Sequence, residues 1–263
     1  MNIIVCLKQV PDTDEVKTDP ETGRIIREGI AGTINPFDMF VLEEALRLKE
    51  IYGGKISLLS MGPKDAMNTL YFGLALGADE AYLLSDIKFA GSDTLATSYA
   101  LSCGIKTLGH YDLIICGIKT TDGDTGQVGA NLAEILDIPS VYYVNKILKY
   151  QNNNIEVERL LEDRSQILQV SLPCLISIVK GANIPRMPTL LGKIEAKKKL
   201  LKILNAYEVN AIEDYCGSEG SPTRVVKVFL PEKRKQGVIV KGCFDQNIIK
   251  LLQFLKNKKM VSF

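Results

Sequence analysis

The residues best suited to do chemistry lie in one stretch, CGIKTTDGDTGQVGANLAEIL at residues 116–136. The stretch follows an apolar run at residues 113–116 and leads into apolar residues at helical spacing, which predicts a strand, a loop and a helix. Such a loop leaves backbone N–H groups unpaired at the start of a helix, where the helix dipole favours negative charge. A phosphate or diphosphate is therefore the predicted ligand of this glycine-rich loop, residues 117–129.

The composition of the glycine-rich loop also allows a second interpretation. Four glycines permit the turn and the close approach of a ligand: Gly117, Gly123, Gly126 and Gly129. Asp122 and Asp124 would repel a phosphate, so we expect them to turn away and hold the loop by Asx-type bonds or cap the helix. The spacing matches neither the dinucleotide fingerprint nor a P-loop. A plain turn that needs glycine for geometry alone explains the loop equally well.

Length and charge limit the classes of protein that this chain can belong to. A chain of 263 residues with 46% hydrophobic content can bury a sizeable core. The 32 basic residues nearly cancel the 31 acidic residues, which argues against a nucleic-acid surface or a polybasic membrane anchor. No apolar run approaches the length of a membrane span, and the N-terminal sequence starts a strand directly, so we expect no membrane insertion and a cytoplasmic location.

Cysteine and histidine usage argues against several kinds of site. The six cysteines form no C-x-x-C pair and four lie within or beside apolar runs, which predicts buried thiols in a reducing compartment. The single histidine, His110, lies in a predicted connection between a helix and a strand, where a solvated side chain is expected. We therefore expect neither histidine-based acid–base catalysis nor a zinc site with histidine ligands.

The hydrophobic pattern predicts alternating strands and helices over the first part of the chain. Strands are predicted at residues 3–7, 55–60, 81–84 and 113–116, and helices begin near Pro36, after Pro63, at Asp93 as N-cap and near Val128. Residues 9–35 are predicted as a long excursion with a β-like pair around Val16 and Ile25. This α/β pattern predicts a mostly parallel, Rossmann-like sheet with helices on both faces and ligands at the carboxyl ends of its strands.

The hydrophobic pattern changes in the second part of the chain. Short β-like runs at residues 143–150, 155–161 and 166–170 predict an antiparallel meander that extends the sheet, and residues 173–179 return as a strand. A lysine-rich helical stretch follows, with residues 197–199 expected on a solvated helix face. Residues 205–263 are predicted to be a C-terminal arm with an amphipathic helix at residues 246–255 that needs a partner, which divides the chain into domains 1–204 and 205–263.

Six ordered motifs resemble the β subunit of electron transfer flavoproteins along nearly the whole chain. They are VCLKQVPDT near the start, NPFDMFVLEEALRLKE, Met61-Gly62-Pro63, GSDTLATS at 91–98, DGDTGQVG at 122–129 and IPRMPTLLGKIEAKKK at 184–199. GSDTLATS and DGDTGQVG, with GSPTRVVKVF at 220–229, resemble the electron-bifurcating group, whose β subunit holds FAD. In the conventional group the same cleft holds AMP.

The resemblance implies a function, cofactors and partners. The chain would pair with an α subunit that carries a second FAD, and its C-terminal arm would pack on that subunit. Its own FAD would accept a hydride from NADH, and electrons would pass to the α-subunit FAD and on to an acyl-CoA dehydrogenase or related flavoenzyme. Ferredoxin or flavodoxin would be the second, low-potential acceptor. NAD(H) is then a substrate, and the flavin carries the chemistry.

The resemblance also implies site residues. Those lining the nucleotide cleft are Cys6, Leu7, Lys8, Asn35, Pro36, Phe37, Asp38, Met61, Gly117, Lys119, Asp122, Gly123, Asp124, Thr125, Gly126, Gln127, Val128 and Gly129. Asp93, Thr94 and Thr97 would lie near the flavin portion. A recognition loop, residues 183–200, would dock on the dehydrogenase through Pro188, Leu190 and Leu191. From the residues alone, a connector that packs on its own domain is equally well supported.

Two other functions remain open at this point. The first is a conventional β subunit in which AMP stabilises the fold and moves no electrons; the Asp and Thr side chains of GSDTLATS make less sense in a cleft that ends at one phosphate. The second is a nucleotide sensor or hydrolase on the same kind of sheet. It is disfavoured because no lysine precedes a Ser or Thr in P-loop fashion and because it leaves the C-terminal arm unexplained.

Overall fold

The computed structural model describes residues 1–12, 32–226, 237 and 239–260. The chain divides into two compact units, Met1–Lys227 and Val228–Phe263. The β-like pair predicted around Val16 and Ile25 lies outside the described residues. Among those that are described, no helix is both long enough and apolar enough to cross a membrane.

Eleven strands lie in the described part of the first unit. They are β1 Asn2–Cys6, β2 Gln9–Pro11, β3 Gly32–Ile34, β4 Lys55–Met61, β5 Glu80–Leu84, β6 Leu113–Gly117, β7 Ser140–Gln151, β8 Asn154–Leu160, β9 Ser165–Ser171, β10 Cys174–Ile178 and β11 Leu200–Leu204. Nine of them form one sheet in the order β11-β5-β4-β1-β6-β10-β7-β8-β9, and β2 and β3 form a separate antiparallel pair. The strands from β11 to β7 pair in parallel, whereas β7, β8 and β9 pair antiparallel. The predicted α/β fold and its antiparallel meander are confirmed.

Six α-helices lie in the described residues: α1 Pro36–Tyr52, α2 Met67–Leu76, α3 Thr94–Leu108, α4 Val128–Leu136, α5 Leu190–Ala196 and α6 Phe244–Asn257. The first five belong to the first unit and α6 belongs to the second. The apolar residues of α1 and α2 form one core with one face of the sheet, and those of α3 and α4 form another with the opposite face. The prediction of helices on both faces is confirmed.

The alternation of side chains along the central strands explains this layering. In β1, Ile3 and Val5 belong to the core beneath α1 and α2, whereas Ile4 belongs to the core beneath α3 and α4. A strand buried on both faces must be apolar at every position, which is why NIIVC and LIICG are continuous apolar runs. Because β1, β4, β5 and β6 run parallel, their carboxyl ends meet at one edge.

The lysine-rich segment differs from the prediction. Helix α5 ends at Ala196, and after a turn the chain forms β11, which pairs with β5 as an edge strand of the sheet. The Nζ of Lys199 donates to the carbonyl oxygens of Leu74 at 3.1 Å and Ala78 at 2.7 Å, so this lysine satisfies carbonyl groups at and beyond the end of α2. Lys197 and Lys198 are exposed, as expected, but residues 197–199 lie in the turn and not on a helix face, because the chain leaves α5 there to form the edge strand LLKIL.

The segment after β11 packs on the first unit. Ala206, Val209 and Cys216 are buried in the core beneath α3 and α4. The first unit consequently extends past the boundary expected at residue 204, to Lys227. In the second unit, α6 is the predicted amphipathic helix and includes residues 246–255. Its residues Phe244 and Ile249 are exposed.

The cysteines and the histidine largely follow their predictions. Buried thiols are found at Cys103, Cys116, Cys174 and Cys216, whereas Cys6 is half-buried and Cys243 is exposed. All six are free. His110 is exposed, as expected, with its Nε2 3.2 Å from a carboxylate oxygen of Asp112. No cluster of residues suited to hold a metal ion is present among the described residues.

Candidate nucleotide site

The ends of β1 and β6 and the start of α1 meet at the carboxyl edge of the sheet. The backbone N–H of Lys8 donates to Asp38 at 2.7 Å, and the backbone N–H of Asn35 donates to the Lys8 carbonyl at 2.9 Å. The Asn35 amide donates to Asp38 at 2.8 Å and to the carbonyl oxygen of Lys119 at 3.0 Å. Three of the predicted segments, distant in sequence, are therefore joined by hydrogen bonds at one place.

The floor of this edge contains three ionisable groups whose pKa values are raised by burial. Burial raises the pKa of Asp38 to about 7, against the opposing effect of its hydrogen bonds from Lys8 and Asn35. Burial also raises the pKa of the Cys6 thiol to about 12, and the nearby Asp38 carboxylate adds to that shift. The pKa of Cys116 is raised by the same causes. The two thiols therefore add no negative charge at neutral pH.

Two ion pairs organise the glycine-rich loop. Lys8 Nζ lies 2.7 Å from a carboxylate oxygen of Asp122, and Lys119 Nζ lies 2.7 Å from one of Asp124. Burial alone would raise the pKa of Asp122, but its bonds with Lys8 bring that pKa below its ordinary range. Asp122 also accepts from the N–H of Gly123, and neither aspartate caps α4, whose N-cap residue is Gln127. Of the two predicted roles, a local bond to the loop backbone is found for Asp122, Asp124 instead pairs with Lys119, and neither residue caps the helix.

The first turn of α4 is uncapped and closely packed. Gln127, the N-cap residue, makes no side-chain capping bond, so no side chain competes for the N–H groups that follow it. Gly126 has φ 64°, a left-handed conformation that favours glycine. Gly129 lies against Tyr142 and Cys116, where a Cβ would be only 2.7 Å from the Cys116 sulfur. Glycine is thus needed at these two positions for the geometry of the turn and for packing within the protein.

The start of α3 lies beside this loop. Asp93 is the N-cap, as predicted: its Oδ1 accepts from the N–H groups of Leu95 and Ala96, and its Oδ2 accepts from the N–H and hydroxyl of Thr223. Thr94 Oγ1 donates to Gln127 Oε1 at 3.1 Å. The GSDTLATS and DGDTGQVG motifs are therefore in contact.

The remaining predicted residues lie at the same edge or close to it. Met61 ends β4, the strand next to β1. Thr97 lies in the first turn of α3 and is half-buried, while Thr125 is exposed in the glycine-rich loop. Phe37 packs beneath Lys119, whose Nζ is 5.8 Å from the ring centroid. The edge thus brings together residues from five predicted segments.

Two residues that the sequence interpretation missed also belong to this region. Thr223 binds Asp93 from far along the chain, and Ser177 is a fully buried serine on β10 beside Cys116 of β6. The Ser177 hydroxyl has no hydrogen-bond partner among the described residues. A single polar residue in the apolar run CLISI was the available signal for Ser177. Thr223 lies in the GSPTRVVKVF stretch, but no local pattern pointed to its contact with Asp93, because more than a hundred residues separate the two.

The recognition loop is exposed at its tip. Leu190 is 77% exposed and Leu191 is 68% exposed, at the start of α5, whose N-cap is Thr189. A cavity of about 560 Å³ lies beside them between α2 and α5, away from the nucleotide edge, and Pro188 lines it. Residues on either side of this tip pack on the first unit, as the connector alternative expects, through the contact of Arg186 with Glu43 and the burial of Ala196, whereas the two leucines themselves are exposed.

Comparison of the sequence with known proteins identifies related proteins. The electron transfer flavoprotein domain model matches residues 22–208. The electron transfer flavoprotein subunit beta of Thermoanaerobacterium thermosaccharolyticum is 45% identical over 262 residues, covering 99% of this chain and 100% of the relative. That of Megasphaera elsdenii is 46% identical over 248 residues, covering 92% of each chain. The caffeyl-CoA reductase-Etf complex subunit CarD of Acetobacterium woodii is 41% identical over 263 residues, covering 99% of this chain and 100% of the relative.

Proposed function

The chain belongs to the electron transfer flavoprotein family as a β subunit, and we propose that it holds FAD, rather than AMP, at the carboxyl edge of its sheet. The contact between Thr94 and Gln127 carries this proposal. It joins the start of α3 to the glycine-rich loop, so polar side chains continue past the place where one phosphate would sit. A dinucleotide makes use of that extension, whereas a mononucleotide leaves it without a ligand.

The charges at the edge fit a diphosphate. The N–H groups after Gln127 have no side-chain cap, and two lysines, Lys8 and Lys119, stand at the same loop. Each lysine is paired with an aspartate that is itself part of the loop, so a phosphate would share these cations with Asp122 and Asp124. Lysine and free helix N–H groups are together a common cradle for phosphate.

Buried acceptors at the edge fit the rest of a nucleotide. Asn35 is fully buried, yet its Oδ1 has no hydrogen-bond partner among the described residues. A buried polar atom without a partner costs about 1–3 kcal/mol, so a donor from a ligand, such as a ribose hydroxyl or a base amino group, would stabilise it. Ser177 presents a second unpaired atom of this kind.

The residues of the chain then bind and orient the cofactor without reacting themselves. When bound, FAD would supply the hydride and one-electron chemistry with NADH. Lys8 and the start of α4 would hold its diphosphate, while Asp93 keeps α3 in place through its capping bonds and its bonds to Thr223. The protonated thiols of Cys6 and Cys116 would add no charge to the floor beneath it.

The proposal includes the electron-transfer partners. An α subunit with a second FAD would receive electrons, and the exposed apolar residues of α6, such as Phe244 and Ile249, suit an arm that packs on that subunit. Leu190 would dock on an acyl-CoA dehydrogenase or related flavoenzyme, and ferredoxin or flavodoxin would take the low-potential electron. Similarity to a subunit of a caffeyl-CoA reductase-Etf complex supports a partner of this class. The free cysteines suit a cytoplasmic location.

A cofactor count tests the proposal. The chain is coexpressed with its α subunit, the heterodimer is purified, and the nucleotides released by denaturation are identified and quantified against protein. We expect two FAD per heterodimer and no AMP, and we expect NADH to reduce flavin without an added enzyme. One FAD with one AMP per heterodimer would show that the chain is a conventional β subunit.

A further inference from the structure

A buried carboxylate on α1 ties the recognition loop to the body of the first unit. Glu43 is 4% exposed and accepts from the backbone N–H of Arg186 at 3.1 Å and from its Nε at 2.9 Å. Arg47, one turn further along α1, donates to the same carboxylate at 2.7 Å. Arg186 also bonds Glu50 at the next turn of the helix. One guanidinium of the loop thus spans two turns of α1.

The charges of this cluster favour an ion pair between the loop and α1 that persists at physiological pH. Burial alone would raise the pKa of Glu43, but hydrogen bonds from Arg186 and Arg47 bring it below its ordinary value. Glu50 and then Glu43 raise the pKa of Arg186 above its usual range. Glu43 and Arg186 therefore stay ionised at physiological pH. A buried ion pair of this kind contributes little net stability but fixes geometry, and removing one partner is costly.

Two further contacts limit the part of the loop that can move. Before Arg186, the Asn183 amide donates to the carbonyl oxygen of Phe40 and to Glu44, each at 2.9 Å. Beyond α5, Lys199 is bonded to carbonyl groups at the end of α2. Residues 187–191, of which all but Pro188 are exposed, therefore lie between a segment held on α1 and a segment held at the end of α2.

We propose that Arg186 is a positioning residue that sets the docking geometry of the recognition loop. It fixes the loop to α1, and the first turn of the same helix carries Asp38 of the candidate nucleotide site. Through this helix, Arg186 holds Leu190 at a fixed distance and orientation from the site. This inference rests on the proposed docking function of Leu190. No other contact in the described residues links the loop to α1 through a charged side chain of the loop.

The expected effect is on recognition rather than on turnover. Without Arg186, residues 187–191 would sample several arrangements, and only a fraction would present Leu190 correctly. Apparent affinity falls by that fraction, so a loop that is correctly placed one tenth of the time binds about tenfold more weakly. Once the partner is bound, the loop is ordered again, so the rate at saturation is unchanged.

A set of three variants tests this inference in the purified heterodimer. Arg186→Gln removes the ion pair between the loop and α1. Arg47→Gln is the matched control, because it removes the other guanidinium from Glu43 without changing the loop. Leu190→Ala removes the docking side chain. The probe is a purified short-chain acyl-CoA dehydrogenase with its acyl-CoA, which reduces a dye through the heterodimer. The heterodimer concentration is varied to obtain KM and kcat, and cofactor content and Tm are measured for each variant.

We expect Arg186→Gln to raise KM about tenfold with kcat and cofactor content unchanged, and Arg47→Gln to lower Tm comparably while leaving KM within about twofold. Amide hydrogen exchange in residues 187–191 should accelerate in Arg186→Gln alone. If Leu190→Ala raises KM and Arg186→Gln does not, or if Arg47→Gln raises it equally, the inference is refuted and docking stands. If Leu190→Ala leaves KM unchanged, the docking function itself is refuted, and the inference with it.

Discussion

A methyl group added at Gly129 probes how tightly the first turn of α4 sits on the sheet. Its Cβ would lie 2.7 Å from the Cys116 sulfur and closer still to the Tyr142 hydroxyl oxygen. Overpacking of this kind costs about 1–3 kcal/mol, whereas alanine gains at most about 1 kcal/mol over glycine in a helix. We therefore expect Gly129→Ala to lower the free energy of unfolding by about 1–2 kcal/mol, and to weaken FAD retention because the turn is displaced.

A double-mutant cycle isolates the cause. Tyr142→Phe removes the buried hydroxyl nearest to the added methyl group, and alone it should change stability by no more than about 1 kcal/mol. Combined with Gly129→Ala it should restore about 1 kcal/mol, since the nearest obstacle is gone. Gly123→Ala is the control: its nearest contact would be Thr120 Oγ1 at 3.6 Å, so we expect no effect of this kind.

The assay compares denaturant midpoints and bound FAD at equal protein concentration for five heterodimers: the wild type, the two single variants of the cycle, the double variant and the control. Unfolding of a complex with a bound cofactor is not two-state, so shifts between matched variants are more informative than absolute free energies. If Gly129→Ala is as stable as Gly123→Ala, the turn is looser than described. If Tyr142→Phe fails to restore stability, the contact with its hydroxyl is not the cause.

Three further predictions follow from the site. Asp93→Ala should lower the free energy of unfolding by about 2 kcal/mol, because it removes both the cap of α3 and the hydrogen bonds to Thr223. Thr223→Val removes only a hydrogen bond to Asp93 and should cost about half as much. Equal denaturant midpoints for the two variants would contradict this. Lys8→Gln should weaken FAD binding in equilibrium dialysis roughly tenfold at low salt, while Asp122→Asn should not weaken it. Because burial raises the pKa of Asp38 to about 7, ionisation of Asp38 destabilises the folded state as pH rises from about 4 to about 7, by on the order of 4 kcal/mol. The stability of the wild type relative to Asp38→Asn should therefore fall across that range, and a constant difference in denaturation curves would contradict the argument.

The layered sheet could be predicted because its signals are local. Runs such as NIIVC and LIICG are apolar at every position, which only a strand buried on both faces requires. Strand β11 was missed because LLKIL follows three lysines that by composition suit a helix, and only pairing with β5 decides its conformation. The end of the first unit was misplaced for a similar reason, since the burial of Ala206 and Cys216 depends on α3 and α4.

The residues of the candidate site also differ in whether local sequence signals could predict their position. Cys6, Met61 and the glycine-rich loop follow predicted parallel strands, so topology alone brings them to one edge. Asn35 and Asp38 were predicted only from the resemblance, because they do not follow a predicted strand. Their hydrogen bonds with Lys8 hold them beside the end of β1. The ion pairs of the two loop aspartates needed coordinates, since they join residues far apart in sequence.

The most direct test of the central claim is a crystal structure of the heterodimer isolated with its native cofactors. The account predicts FAD at the carboxyl edge, with its diphosphate about 3 Å from the N–H groups of the first turn of α4 and from Lys8, and with the rest of the cofactor reaching the start of α3 beside Thr94. AMP in that position, or side chains of the glycine-rich loop closed over an edge with no room for a dinucleotide, would contradict it.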